Sequence, residues 1–230
     1  MDKLDIFEKD NSSSDCMIIY HGSDKLQGLP KYGFGKKEND YGIGFYCTED
    51  MHSAELWAVN KNTDGYCNKY KFNTEGLNGL VLDDTNVLQW LALLMQNRIV
   101  RFDDFIHNSR ANRFINKYSN IDIEMYDYII GYRADDSYFS IVERFISGDA
   151  CLEDLYDLLH LGSLGKQIVL KTEKAFKNLS FLGVSNCKSE ILYSDYINND
   201  RRARNRAKDI LRRSEYKKRR TLILDLLNKE

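Results

Sequence analysis

The chain has 230 residues, 43% of them hydrophobic and 30% charged, with a formal net charge of -2. That suits one large domain, or one domain and an extension, with an ordinary core. No run of about eighteen apolar residues occurs, so no transmembrane helix is expected, and the acidic first ten residues lack the apolar centre of a secretory signal. The five cysteines (Cys16, Cys47, Cys67, Cys151, Cys187) are odd in number and scattered, without a C-x-x-C pair. Neither a disulfide framework nor a zinc site is expected, and a reducing cytoplasm is the expected location.

In chain order, a polar leader (1–15) gives way to a compact apolar run over 16–20 that reads as a buried strand and ends at His21-Gly22-Ser23. Residues 24–39 contain Gly28, Pro30, Gly33 and Gly35 and read as loop. The G-x-G at Gly33 lacks the following helix and lysine–serine partner of a phosphate cradle. A second strand is predicted over 44–48, after which Thr48-Glu49-Asp50 can cap a helix over 51–61 with Ala54, Trp57 and Ala58 on one face. A strand follows at 66–72. Residues 85–98 form the clearest amphipathic helix, striped by Val87, Trp90, Leu91, Leu94 and Met95.

Residues 98–118 are charged and partly helical. A strand is predicted at 126–132, a helix at 137–146 capped by Ala134-Asp135-Asp136, and a helix at 152–160 with Leu155, Leu158 and Leu159 as its core face. A strand at 167–170 and a last apolar piece over 175–182, before Gly183, complete the body. Beyond Asn199 one long basic helix is predicted. The sum is α+β, with strands too separated for a doubly wound sheet, divided into leader 1–15, domain 16–199 and basic tail 200–230. The tail holds the charge asymmetry: residues 201–230 carry twelve Lys/Arg against four Asp/Glu, leaving 21 against 31 in the remainder.

On residue chemistry alone, His21, Gly22, Tyr46 and Trp57 suit a slot for a planar heterocycle. The glycine backbone can hold an amide, the histidine can bond a ribose hydroxyl, and the aromatics offer stacking faces. Buried core aromatics and a satisfied strand-end histidine are the plainer reading of the same residues. Cys47 with His21 can be drawn as a nucleophile and base, but nothing orients the pair. His21, His52, His107 and His160 show no metal-binding spacing.

Order and spacing add to this. A strand ending in aromatic-His-Gly-Ser, then Gly-x-Gly-Phe-Tyr-x-Thr over 42–48, then a helix containing Ser53-Ala54, resembles the NAD-binding half of the ADP-ribosyltransferases. The likeness is to the histidine–tyrosine–glutamate branch of diphtheria-type toxins and poly(ADP-ribose) polymerases. Within it, the chain is most similar to the bacterial domain of unknown function 3990, through Gln89-Trp90-Leu91, Asn97-Arg98, the stretch 130–136 and the stretch 165–170. The resemblance covers roughly residues 17–181. It implies an α+β fold with a split β-sheet core, surrounding helices and, here, a C-terminal basic helix. It also implies NAD as substrate, no metal, and a site of His21, Gly22, Ser23, Tyr46, Thr48 and Trp57 (or Leu56 in place of Trp57), with His21, Tyr46 and Gln167 as catalytic residues.

Gln167 departs from the pattern, which has glutamate there, and a one-residue slip would put Lys166 in its place. A glutamine can orient a ribose hydroxyl but cannot serve as a base, so transfer to a single acceptor fits better than chain elongation. Asp135 and Asp136 are candidates for a base or an acceptor-side role, beside their plain reading as a helix N-cap. Arg98 and Arg133 can meet a pyrophosphate or serve in salt bridges.

The implied function is a mono-ADP-ribosyltransferase acting on a protein or nucleic acid, a bacterial toxin with an antitoxin partner and no membrane association. The alternatives are a catalytically inactive NAD- or partner-binding module, and a nucleic-acid-binding protein acting through its tail. In the tail, Ala203, Ala207, Ile210 and Leu211 form a narrow apolar stripe and 222–227 is apolar, which leaves docking onto the acidic body, or plain solvation, open beside nucleic-acid contact.

Overall fold

The computed structural model of the chain describes residues 15–98, 102–134, 136–159, 165–214, 216 and 220–229. Among them, seven strands form two sheets. β1 (Cys16–Ser23), β3 (Gly65–Asn73) and β7 (Leu179–Cys187) make an antiparallel sheet with β3 in the centre. β2 (Phe45–Cys47), β6 (Lys166–Leu170), β5 (Tyr128–Tyr132) and β4 (Gly79–Val81) make the second in that order, antiparallel except between β4 and β5. The helices are α1 (Met51–Ala58), α2 (Val87–Arg98), α3 (Phe105–Tyr118), α4 (Asp136–Ser147), α5 (Leu152–Leu159), α6 (Glu173–Lys177), α7 (Ser189–Ser214) and α8 (Ile223–Asn228). The fold is α+β. None of the described helices is long and apolar enough to cross a membrane.

Strand alternation sets the layers. On β6, Ile168 and Leu170 face one way and Val169 the other. The first two join Ile19, Phe45, Tyr70 and Phe72 in an apolar cluster shared by the two sheets. Val169 and Ile129 instead meet a helical layer that includes Trp90 and Leu94 of α2, Phe114 of α3, Phe145 of α4 and Leu158 of α5. A strand buried on both faces needs a continuous apolar run, which is what residues 168–170 supply. On the other face of the first sheet, α1 seats Ala54 and Ala58 against Cys67 and Cys187.

Several elements differ from the sequence reading. α2 is buried all round from Trp90 to Met95, because α3 covers the side that a lone amphipathic helix would leave wet. β1 buries only Ile19 fully, since it is an edge strand of its sheet. α1 ends at Ala58, where Asn60 and Thr63 turn the chain through a pair of backbone hydrogen bonds; Ala54, Leu56 and Ala58 are buried in it and Trp57 is half-buried. β7 runs straight through Gly183, opposite Lys69 at an irregularity in the β3 ladder.

α7 begins at Ser189, so a boundary at 199/200 falls inside a helix. The C-terminal part belongs to the main core. Ala207, Ile223, Leu226 and Leu227 are buried there, and Lys117 Nζ and Tyr118 Oη donate to the Leu226 carbonyl at 3.0 and 3.2 Å.

Candidate functional site

Among the described residues, one backbone bridge ties the first sheet to the end of β2. Tyr20 and Thr48 exchange both backbone hydrogen bonds, at 2.7 and 2.9 Å. In an antiparallel ladder the next exchange would link Gly22 and Tyr46. Instead, His21 Nδ1 donates to the Tyr46 carbonyl at 2.7 Å, so an imidazole stands where a second backbone pair would close the seam. A carbonyl only accepts, which puts the proton on Nδ1 and leaves Nε2 as an acceptor. Burial lowers the His21 pKa against the opposing pull of the Tyr46 carbonyl, and the ring is neutral at pH 7.

Gly22 gains a special position from the same geometry. Tyr20 turns its N–H and C=O toward β2, so Gly22, two residues on, turns its own off the same edge and into the gap. Its lack of a side chain is also structural. A Cβ there would lie 1.9 Å from the Ala54 oxygen and 2.9 Å from the Ala58 nitrogen, so α1 packs directly on the β1 backbone. Beside it, the Ser23 hydroxyl donates to the Lys25 carbonyl. Thr48 is buried, its Oγ1 accepting from the Asp50 N–H at 3.1 Å, and Asp50 caps α1 through the Ser53 N–H at 3.1 Å.

Tyr46 spends its hydroxyl on the loop before it, donating to the Gly42 carbonyl at 2.6 Å and accepting from the Tyr41 N–H at 3.0 Å. Burial pushes its phenol pKa well up. What it can offer a ligand is therefore a ring face. Trp57 has the Arg133 guanidinium 4.4 Å from its ring centroid, so one of its faces is taken by a cation.

Gln167 is 5% exposed. Its Nε2 donates to Asp40 Oδ2 at 2.8 Å and to the Tyr132 carbonyl at 3.2 Å. Both acceptors lack protons, which fixes the amide orientation and leaves Oε1 as the remaining polar atom of the side chain. Lys166, one residue earlier, is exposed. Asp40 is the residue sequence reasoning missed. It is 5% exposed, and also accepts from Arg98 Nε at 2.9 Å and the Ala134 N–H at 3.0 Å. Arg98 thus neutralises Asp40. The carboxylate beside Gln167 comes from a position 127 residues away in sequence, with no spacing signal to connect them. Asp135 lies outside the described residues, and Asp136 is the first residue of α4. Cys47 is fully buried, and burial pushes its thiol well up, which removes it as a nucleophile.

His21, Gly22, Ser23, Tyr46, Thr48, Trp57 and Gln167 line a single cleft of about 1640 Å³. Asp40, Arg98 and Arg133 line it too. Lys31, Phe34 and Lys36 of the 24–39 loop form one rim, and Tyr196, Asp200 and Arg204 of α7 form another. Sites for one small ligand span roughly 300–1,000 Å³, so this cleft has room for a large ligand and part of a second. Among the described residues, no group of three or more His, Cys, Asp or Glu side chains is arranged to hold a metal.

Fold and cleft together define an α+β protein with a large cleft at the parting of two sheets. The chain belongs to the family described as protein of unknown function (DUF3990), whose model matches residues 17–181. That span includes His21, Asp40, Tyr46 and Gln167 and ends before α7. No curated protein and no solved structure matches the chain.

Proposed function

We propose that the protein is a mono-ADP-ribosyltransferase that cleaves NAD and transfers ADP-ribose to a macromolecular acceptor, on an ADP-ribosyltransferase-like split-sheet core. One observation carries the reading: His21, Tyr46 and Gln167, from three strands distant in sequence, line one cleft where the sheets part. In this reading the Gly22 N–H and C=O receive the nicotinamide carboxamide and the Tyr46 ring stacks on the pyridine. Nε2 of neutral His21 and Oε1 of Gln167 each accept from a hydroxyl of the adjoining ribose. The resemblance to the histidine–tyrosine–glutamate transferases supports the same roles.

In the reaction the ribose C1′–nitrogen bond breaks and its electron pair leaves on nicotinamide. A nucleophilic oxygen or nitrogen of the acceptor bonds to C1′ and gives its proton to water. Positive charge builds on the ribose meanwhile, and the Gln167 dipole is the group aimed at it. A glutamine cannot take the proton, so the roughly 10²–10⁴-fold gain from a general base is absent, and a single transfer is expected rather than chain growth. The proposed setting is a cytoplasmic bacterial toxin held by an antitoxin protein, which the resemblance supports.

A specific observation favours a second reading, an NAD-binding module without turnover. Both Gln167 amide hydrogens are engaged, and the nearest carboxylate, Asp40, is neutralised by Arg98. Incubating the chain with NAD and separate protein, RNA and DNA pools distinguishes the two. Transfer predicts free nicotinamide and an ADP-ribose adduct by mass spectrometry, both lost in His21→Ala. The module predicts thermal stabilisation of RT ln(1 + [L]/Kd) with no nicotinamide released. Neither release nor stabilisation removes both.

A further inference from the structure

The 24–39 loop and α7 form two rims of the cleft, and both carry features the NAD reading leaves unused. On the loop, Phe34 lies between the exposed Lys31 and Lys36, and all three line the cleft. Phe34 is 70% exposed. An exposed phenylalanine flanked by lysines contributes little to the core but makes a stacking surface for a base, with cations placed for the phosphates beside it. On α7, Tyr196 also lines the cleft and is 39% exposed.

The charge on α7 continues outward from that rim. At helical spacing, Tyr196, Asp200, Ala203, Arg204, Ala207 and Ile210 share one seam, which begins at the cleft and runs into the core. Arg201, Arg202, Lys208 and Arg213 project beside and opposite that seam and are exposed. Residues 1–200 carry 21 Lys/Arg against 31 Asp/Glu. Over 201–214, α7 carries seven Lys/Arg against one acid, Asp209, on an otherwise acidic body, and so offers a polyanion a basic surface that starts at the edge of the cleft.

We propose that the acceptor is a single-stranded nucleic acid, its phosphates held along the exposed basic side of α7 and its bases stacked at the rim on Phe34 and Tyr196. This rests on the transferase reading for the reaction, though not for the binding. A duplex hides the reactive atoms of its bases, whereas an unpaired strand can turn one into the cleft. The group transferred and the fate of its electrons are those above, the nucleophile now being a nitrogen or oxygen of the strand.

Fluorescence anisotropy of the full chain, without NAD, tests the binding. The probes are labelled single-stranded RNA and DNA of about 20 nucleotides, enough to cover one site of this kind, the matching duplex, and poly-glutamate. The expected order is single strand over duplex over poly-glutamate, and the tighter of the RNA and DNA arms identifies the sugar recognised. The combined variant R201A/R202A/K208A/R213A should flatten the slope of log K against log salt by about 3, at roughly 0.7 per phosphate contact on a single strand. Phe34→Ala should weaken single-strand binding several-fold and leave that slope unchanged.

Poly-glutamate binding as tightly as the strands would overturn the proposal in favour of an acidic protein partner. Equal affinity of the parent chain and both variants would overturn it outright. Nicotinamide release into water without any oligonucleotide, measured alongside, reports on the transferase reading alone, so the failure of either is visible without the other.

Discussion

Gln167 Nε2 donates to Asp40 Oδ2 at 2.8 Å and to the Tyr132 carbonyl at 3.2 Å, which makes the glutamine amide a donor that its surroundings require. Replacing it with glutamate, the residue of the resembled family, puts a third acceptor against two others. Gln167→Glu is therefore expected to destabilise the fold by about 1–3 kcal/mol or more, with no gain in NAD cleavage. Asp40 raises the pKa of the new carboxyl above its unfolded value of roughly 4.3. The penalty is thus full above the raised value and absent below the unfolded one. Urea midpoints at pH 7.5 and pH 4.5 measure this, and Asp40→Asn added to Gln167→Glu should recover part of the loss by restoring a donor. A Gln167→Glu chain as stable as its parent at pH 7.5 contradicts the assignment.

His21 supplies a pH dependence of stability. Its folded pKa lies below the unfolded value of roughly 6.5. Above that unfolded value neither state is protonated and there is no penalty. Below it the unfolded chain binds the proton first, so stability falls with acid until the pH reaches the lowered folded value. His21→Gln keeps an N–H that can reach the Tyr46 carbonyl and removes the titration. The stability lead of the parent chain over His21→Gln should shrink between pH 7 and pH 5. Parallel curves for the two proteins would mean that His21 does not titrate as its burial implies.

Much of the floor of the cleft was legible in the sequence because it is local. The glycines and aromatics at 20–23 and 42–48 mark strand ends, and Ile168, Val169 and Leu170 mark a strand buried on both faces. Three things were not legible. Asp40 reads as an ordinary loop acid until the fold brings it to Gln167, because a hydrogen bond between residues 127 apart leaves no periodic trace. α7 reads as an independent basic tail because its apolar seam is narrow, with Ala203 and Ala207 where larger residues would have signalled a packed face. The full burial of α2 was hidden for a related reason. Periodicity reports the helix's own pattern and is silent on a second helix covering the opposite side.

Tyr46 separates structure from the proposed NAD binding in one position. Its hydroxyl ties down Tyr41 and Gly42, and its ring borders the cleft. Tyr46→Phe should cost about 1–3 kcal/mol, the usual penalty for stranding a buried N–H, while keeping the ring face. Tyr46→Ala loses both. Calorimetric titration with NAD should show affinity changed less than about threefold in Tyr46→Phe and about tenfold or more in Tyr46→Ala, since tenfold is about 1.4 kcal/mol and stacking contributes roughly 0.5–1.5 kcal/mol beyond the apolar area lost. Equal loss of affinity in both would place the hydroxyl, not the ring, against the ligand.

Gly22→Ala tests whether the edge of β1 depends on the contact with α1. The added methyl would meet the Ala54 oxygen at 1.9 Å, a backbone atom that moves only if the helix does. α1 must shift outward, and with it Leu56 and Trp57, which line the cleft. Overpacking of this kind costs roughly 1–3 kcal/mol. Displacement of Trp57 from beneath the Arg133 guanidinium should raise its quenching by acrylamide, while Trp90, buried in the helical layer, stays protected. A lowered urea midpoint with higher quenching of one tryptophan is the expected result. A lowered midpoint with unchanged quenching would mean that β1 yields instead of α1, which would close the gap at Tyr46 rather than widen it.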